Sequence, residues 1–103
     1  MDGLTGKQAR HLRGLGQKLQ PAVAIGKAGL TDGVVAATSD ALGRGELVKA
    51  RLPAGPAASR KAIAEQLAAA VNAACLGVVG RTALLYRGEP TLPPERRVHL
   101  PEP

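Results

Sequence analysis

The sequence predicts an α/β (α+β) domain with element order α-β-α-β-α-β-β, a four-stranded mixed sheet with helices packed on it. Three observations carry this expectation. Apolar residues recur with helical period in three separate segments. Short apolar runs stand between and after those segments, and the last two are separated only by Gly80-Arg81. Strands joined through helices return to one sheet by right-handed crossovers, and the final pair closes as an antiparallel hairpin.

The first helix opens at Thr5, with Gln8 three residues later in the pattern of a capping box. Its expected inward stripe is Leu12, Leu15 and Leu19, with Leu4 ahead of the cap, and Pro21 ends it. Lys7, Arg10 and Arg13 are spaced three apart along its flank and back. Residues 22–25 read as a short buried strand, broken by Gly26-Lys27-Ala28-Gly29. Thr31 caps a second helix reaching about Gly43, with Val34, Thr38, Ala41 and Leu42 inward; Gly43 and Gly45 supply positive φ at its end.

Residues 46–52 alternate, so Val48, Ala50 and Leu52 form a buried face while Leu47, Lys49 and Arg51 form a basic one. A loop over Pro53–Pro56 precedes a third, Ala-rich helix from Ala57 to about Ala74. Ile63, Leu67, Ala70, Val71 and Ala74 line one side of it, with Arg60, Lys61, Glu65 and Gln66 on the other. Residues 75–79 and 82–86 make the hairpin. The division is a domain over 1–87 and a tail over 88–103. That tail, with five prolines, reads as extended or disordered, with Val98 and Leu100 able to dock on the domain.

Composition limits the possible functions. A chain of 103 residues with 45% hydrophobic and 21% charged side chains has room for one core, and it is too apolar for a disordered segment. With no Phe or Trp and only Tyr86, that core is aliphatic. The net charge is +6, carried by residues 1–87 with 12 basic and 5 acidic side chains, whereas the tail is nearly neutral. A basic small domain suits a polyanionic partner, because each neutralised phosphate releases counterions. A single cysteine, Cys75, excludes an internal disulfide, no 18-residue apolar run occurs, and Met-Asp-Gly-Leu-Thr does not read as the basic start of a signal peptide, so none is expected. A cytoplasmic protein is expected, and a monomer.

One local feature points to chemistry. A strand runs into Gly26-Lys27-Ala28-Gly29 and on into a Thr-capped helix. Two glycines three apart let the backbone turn sharply and bring amides close to a ligand. The helix behind them offers unpaired N–H groups and a positive dipole end, and Lys27 adds a mobile ammonium at the tip. The same glycines also serve a plain strand-to-helix connection, and each cation taken singly reads as a solvated surface charge. Together, Lys7, Arg10, Arg13, Lys49 and Arg51 make a basic stripe around the loop.

Four segments in this order resemble the CRM (chloroplast RNA splicing and ribosome maturation) domain family. They are Leu4-Thr-Gly-Lys-Gln-Ala-Arg-His-Leu-Arg13, Leu19-Gln-Pro-Ala-Val-Ala-Ile-Gly-Lys-Ala-Gly-Leu-Thr-Asp-Gly-Val34, Glu46-Leu-Val-Lys-Ala-Arg-Leu52 and Val78-Val-Gly-Arg-Thr-Ala-Leu-Leu-Tyr-Arg87. The likeness spans roughly residues 4–87 and is most similar to small bacterial YhbY-type proteins built from one such domain. It implies a fold related to the C-terminal domain of bacterial translation initiation factor 3, RNA binding, and association with precursor large ribosomal subunits and their 23S rRNA. It also implies that the family's GXXG loop falls on Gly26, Lys27, Ala28 and Gly29, its basic helix on Lys7, Arg10 and Arg13, and a basic hairpin position on Arg81. Two departures are the Ala-, Gly- and Pro-rich stretch over 53–59 and a longer, more acidic tail.

No catalytic constellation accompanies this pattern. His11 and His99 are far apart in sequence; His11 reads as a half-buried packing residue, and Cys75 as a small core residue. One Cys and two His make no four-ligand metal set without carboxylates, and no cofactor is implied. The Walker pattern needs Ser or Thr after its Lys, and Ala28 follows Lys27. With one aromatic residue, recognition rests on phosphates, 2′-hydroxyls and RNA shape rather than stacking. The leading reading is a non-enzymatic RNA-binding protein acting in 50S subunit maturation. Another translation-associated or chaperone-like RNA-binding accessory is the second, and a basic adaptor for an acidic protein partner is the third.

Overall fold

In the computed structural model, residues 3–103 are described; Met1 and Asp2, which the sequence reading includes in the domain, lie outside the described residues. The capping box forms: Thr5 Oγ1 accepts from the Gln8 amide at 3.1 Å, and Gln8 Oε1 accepts from the Thr5 amide at 3.1 Å. Helix α1 (Gly6–Gly16) ends well before Pro21. Its buried positions are Gln8, Ala9, Leu12 and Gly16, and Leu4 and Leu19 pack beside them as expected, so only Leu15 departs from the Leu12–Leu15–Leu19 stripe. Leu15 is 41% exposed. The i, i+4 row through 8, 12 and 16 faces the sheet, and the small Ala9 and Gly16 draw the helix in close, so position 15 turns to the flank.

Strand β1 (Pro21–Ala24) is an edge strand with alternating burial, not the buried strand expected over 22–25. Proline at its first position suits an edge, where no ladder amide is missed. Helix α2 (Asp32–Gly45) begins at Thr31, whose Oγ1 accepts from the Val34 amide at 3.2 Å. Thr38 and Leu42 face inward, and the Thr38 hydroxyl donates to the Val34 carbonyl. The positive-φ residue that ends α2 is Glu46 (φ 66), not Gly43 or Gly45.

Strand β2 (Leu47–Arg51) is followed by α3 (Ala57–Ala70), β3 (Ala74–Val79) and β4 (Thr82–Tyr86). The third helix is shorter than its Ala-rich run suggests, because Asn72 (φ 57) takes the left-handed conformation that releases the chain into β3. Ala70 is consequently exposed and Ala74 opens a strand.

The sheet order is β1-β2-β4-β3, with β1 parallel to β2 and β4 antiparallel to both β2 and β3. Both faces are covered. On one, α2 and α3 enclose Ile25, Leu42, Val48, Leu52, Leu67 and Leu85. On the other, Ala9 and Leu12 of α1 pack on Leu47, Leu76, Leu84 and Tyr86, with Val98 and Leu100 of the tail against them. Leu47 is therefore buried, and the expected basic face of β2 reduces to Lys49 and Arg51.

The tail, extended apart from a 3-10 turn over Pro94–Arg96, is held in place. Glu46, 0% exposed, accepts from the amides of Glu89 and Val98, both at 2.6 Å, and from Arg97 Nε at 3.2 Å. Gln8 Nε2 donates to the Pro101 carbonyl at 2.9 Å.

Candidate nucleic-acid interface

Because β1, β2 and β3 run parallel and β4 opposes them, the glycine turn, the 53–56 loop and the 80–81 hairpin share one end of the sheet. The Ile25 amide donates to the Arg51 carbonyl at 2.8 Å, so the turn leaves the sheet directly beside Arg51. Inside it, the Gly29 amide donates to the Gly26 carbonyl at 3.0 Å, closing a four-residue turn with Lys27 and Ala28 exposed at its tip. Gly29 has φ +76, which favours glycine there.

The expected contribution of α2 is smaller than its sequence suggests. The Val34 amide is engaged by Thr31, and Asp32 places a carboxylate in the first turn. That charge opposes an anion at the helix end. Phosphate binding at this loop would therefore rest on the turn and Lys27 rather than on α2.

A groove of about 680 Å³ lies between the C-terminal half of α1 and the sheet. It is lined by Arg10, Arg13 and Lys49 together with small or apolar residues that include Gly77, Val79 and Thr82. Among the described residues lining it there is no carboxylate. Register explains the convergence. Lys49 pairs with Leu84 and Arg51 with Thr82, so both cations stand on the α1 face, just beyond the part that α1 covers. Arg13 reaches across to β3, where its Nη1 donates to the Leu76 carbonyl at 3.4 Å.

Of the sequence-predicted residues, the groove thus unites Arg10, Arg13 and Lys49, with Arg51 next along the strand. Lys7 is exposed one turn earlier on α1 and does not line the groove. Arg81, in the hairpin, is partly committed to the scaffold, since its Nε donates to the Leu52 carbonyl at 3.1 Å. Gly26, Lys27, Ala28 and Gly29 also lie outside the groove, at the β1 edge of the same sheet end.

Sequence reasoning missed Thr82, Val79 and Gly77 as part of this surface. Val79 is 83% exposed although it sits in an apolar run, and only the pairing of β3 with β4 reveals which face it takes. His11 is exposed on α1, which corrects the expectation of a half-buried packing residue. Burial pushes the Cys75 thiol up from its usual range, with Glu65 adding to the effect, so thiolate is scarce at neutral pH.

Comparison with known proteins gives the family and the fold. The family model for the CRS1 / YhbY (CRM) domain matches residues 4–87. A Haemophilus influenzae protein named RNA-binding protein is 32% identical over 101 residues, covering 98% of each chain. A Pseudomonas aeruginosa protein named as a probable RNA-binding protein is 32% identical over 87 residues, 84% of each chain. The solution structure of the Staphylococcus aureus protein SAV1595, described as a candidate RNA-binding protein, superposes with a TM-score of 0.81. It has 32% identity and covers 95% of this chain and 99% of that one. A match spanning both flanks of the groove, in sequence and in fold, leads to one conclusion: the chain belongs to the CRS1/YhbY (CRM) domain family.

Proposed function

We propose that this protein binds ribosomal RNA and assists maturation of the large (50S) ribosomal subunit, gripping the RNA backbone with the α1 groove and the adjacent GXXG turn. The observation that carries the reading is the cluster of Arg10, Arg13 and Lys49 around one groove without a lining carboxylate, at the sheet end that bears Lys27 and Arg51. The relatives named above as RNA-binding support RNA as the partner.

Phosphate contacts from such a surface fix register without reading bases, so affinity is strongly salt-dependent and tolerant of sequence. With Tyr86 buried, no aromatic side chain is free to stack on a base, and shape and 2′-hydroxyls supply what selectivity there is. The protein acts as a cytoplasmic monomer that binds rather than transforms its partner. Co-sedimentation from cell extract tests the reading. The protein is expected in precursor 50S fractions and to leave them on RNase treatment. Recovery only in the free fraction, or retention after RNase, would contradict it.

A further inference from the structure

A second cleft, of about 440 Å³, opens on the other side of edge strand β3. Arg60, Lys61 and Glu65 of α3 line one wall, and Cys75 to Val78 with Gly80 line the other. Since α3 runs towards the start of β3, its first turns sit near the C-terminal end of that strand. This is the same sheet end that carries the glycine turn and Arg51. Gly77 lines both this cleft and the α1 groove, so the two meet across one strand with no third element between them.

We propose that this cleft is a second phosphodiester-binding subsite. In it Arg60 and Lys61 grip the RNA strand after it crosses β3 from the α1 groove; the proposal rests on the RNA-binding reading above. Arg60 Nε is closed off from solvent and has no hydrogen-bond partner among the described residues. An unsatisfied donor of this kind is costly, and the Nε–Nη edge is the fork that binds a phosphate bidentately once the side chain turns outward. Within the described residues, neither Arg60 nor Lys61 is in an ion pair. Glu65, the one carboxylate in the lining, follows Lys61 by one turn on α3 and acts on Cys75, while Arg60 and Lys61 together outweigh its single charge. Arg10, Arg13 and Lys49 of the first cleft and Arg60 and Lys61 of the second then form one track over β3, with Lys27 and Arg51 beside it towards the β1 edge.

The test is filter binding of a 23S rRNA transcript as a function of salt, using the full chain. Arg60→Ala with Lys61→Ala adds alanines to an alanine-rich helix, so the fold is kept, and an unchanged thermal midpoint verifies it. This double variant is expected to flatten the slope of log K against log salt by about two relative to wild type. Lys18→Ala with Arg44→Ala removes the same charge from exposed positions outside both clefts, and is expected to leave the slope near wild type. Equal slopes for the two double variants would overturn the subsite while leaving RNA binding intact. A wild-type chain that fails to bind the transcript would overturn the RNA reading itself, and the subsite with it.

Discussion

Gly16 of α1 lies directly on Leu84 of β4: a Cβ at position 16 would fall 2.6 Å from Leu84 Cδ2 and 2.7 Å from Cδ1. This approach sets the depth of the groove, because Gly16 and Leu84 are both in its lining. Gly16→Val is expected to destabilise by about 1–3 kcal/mol through overpacking, which exceeds any gain from removing a helical glycine. Chemical denaturation measures it, and Leu84→Val in the same chain should recover part of the loss. Two strictly additive effects would argue against the contact.

The Glu46 carboxylate is the point at which the tail is tied to the sheet. Glu46→Gln replaces one acceptor oxygen with a donor that faces backbone amides. The expected cost is about 1–3 kcal/mol, the penalty of an unsatisfied buried group. Arg97 loses its charged partner at the same time, so trypsin cleavage after Arg96 and Arg97 should speed up in the variant. A tail cut at the wild-type rate would mean that the latch does not hold it.

Tyr86 gives a pH dependence that can be read directly, since it is the only aromatic residue. Burial, and then the negative charge of Glu46, raises its phenol above the usual 10.0, with Arg97 working in the opposite sense. An acid whose pKa is raised by folding favours the folded state in its protonated form. Its contribution is thus intact below the unfolded value of 10.0 and is lost as pH rises through the folded value. Tyrosinate absorbance should therefore appear later than in a free tyrosine, and Tyr86→Phe should flatten the loss of stability above pH 10.0. Ionisation at the free-tyrosine value would contradict the burial argument.

Substitutions in the glycine turn separate binding from folding. A side chain at Gly26 meets nothing within 4 Å, whereas Gly29 has φ +76. Gly26→Asp should keep the thermal midpoint yet weaken RNA binding by placing a carboxylate at the loop. Gly29→Asp should also lower stability, because left-handed backbone costs an L-residue about 1–2 kcal/mol. Lys27→Ala should reduce the salt slope by about one, as expected for one phosphate contact. An unchanged slope would remove Lys27 from the surface.

Local chemistry made much of this molecule readable from its residues. Thr5 with Gln8, Thr31, and the two runs around Gly80-Arg81 each declare an element through a nearby capping or turn signal, and all are found where expected. What the sequence hides is long-range. Leu15 and Leu12 look equivalent until Ala9 and Gly16 are seen to bring α1 down on their side. Glu46 looks like the first residue of a strand, and its partners at 89, 97 and 98 come from a tail whose prolines suggest no structure. Lys49 joins Arg10 and Arg13 only through the pairing of β2 with β4, which no local pattern encodes.

Ultraviolet crosslinking of the protein to 23S rRNA, with the modified residues located by mass spectrometry, addresses the proposed RNA-binding surface most directly. Crosslinks are expected on the C-terminal half of α1, on residues 26–29 and on 49–51. Crosslinks confined to the exposed face of α2, around Ala36, Asp40 and Arg44, would contradict it.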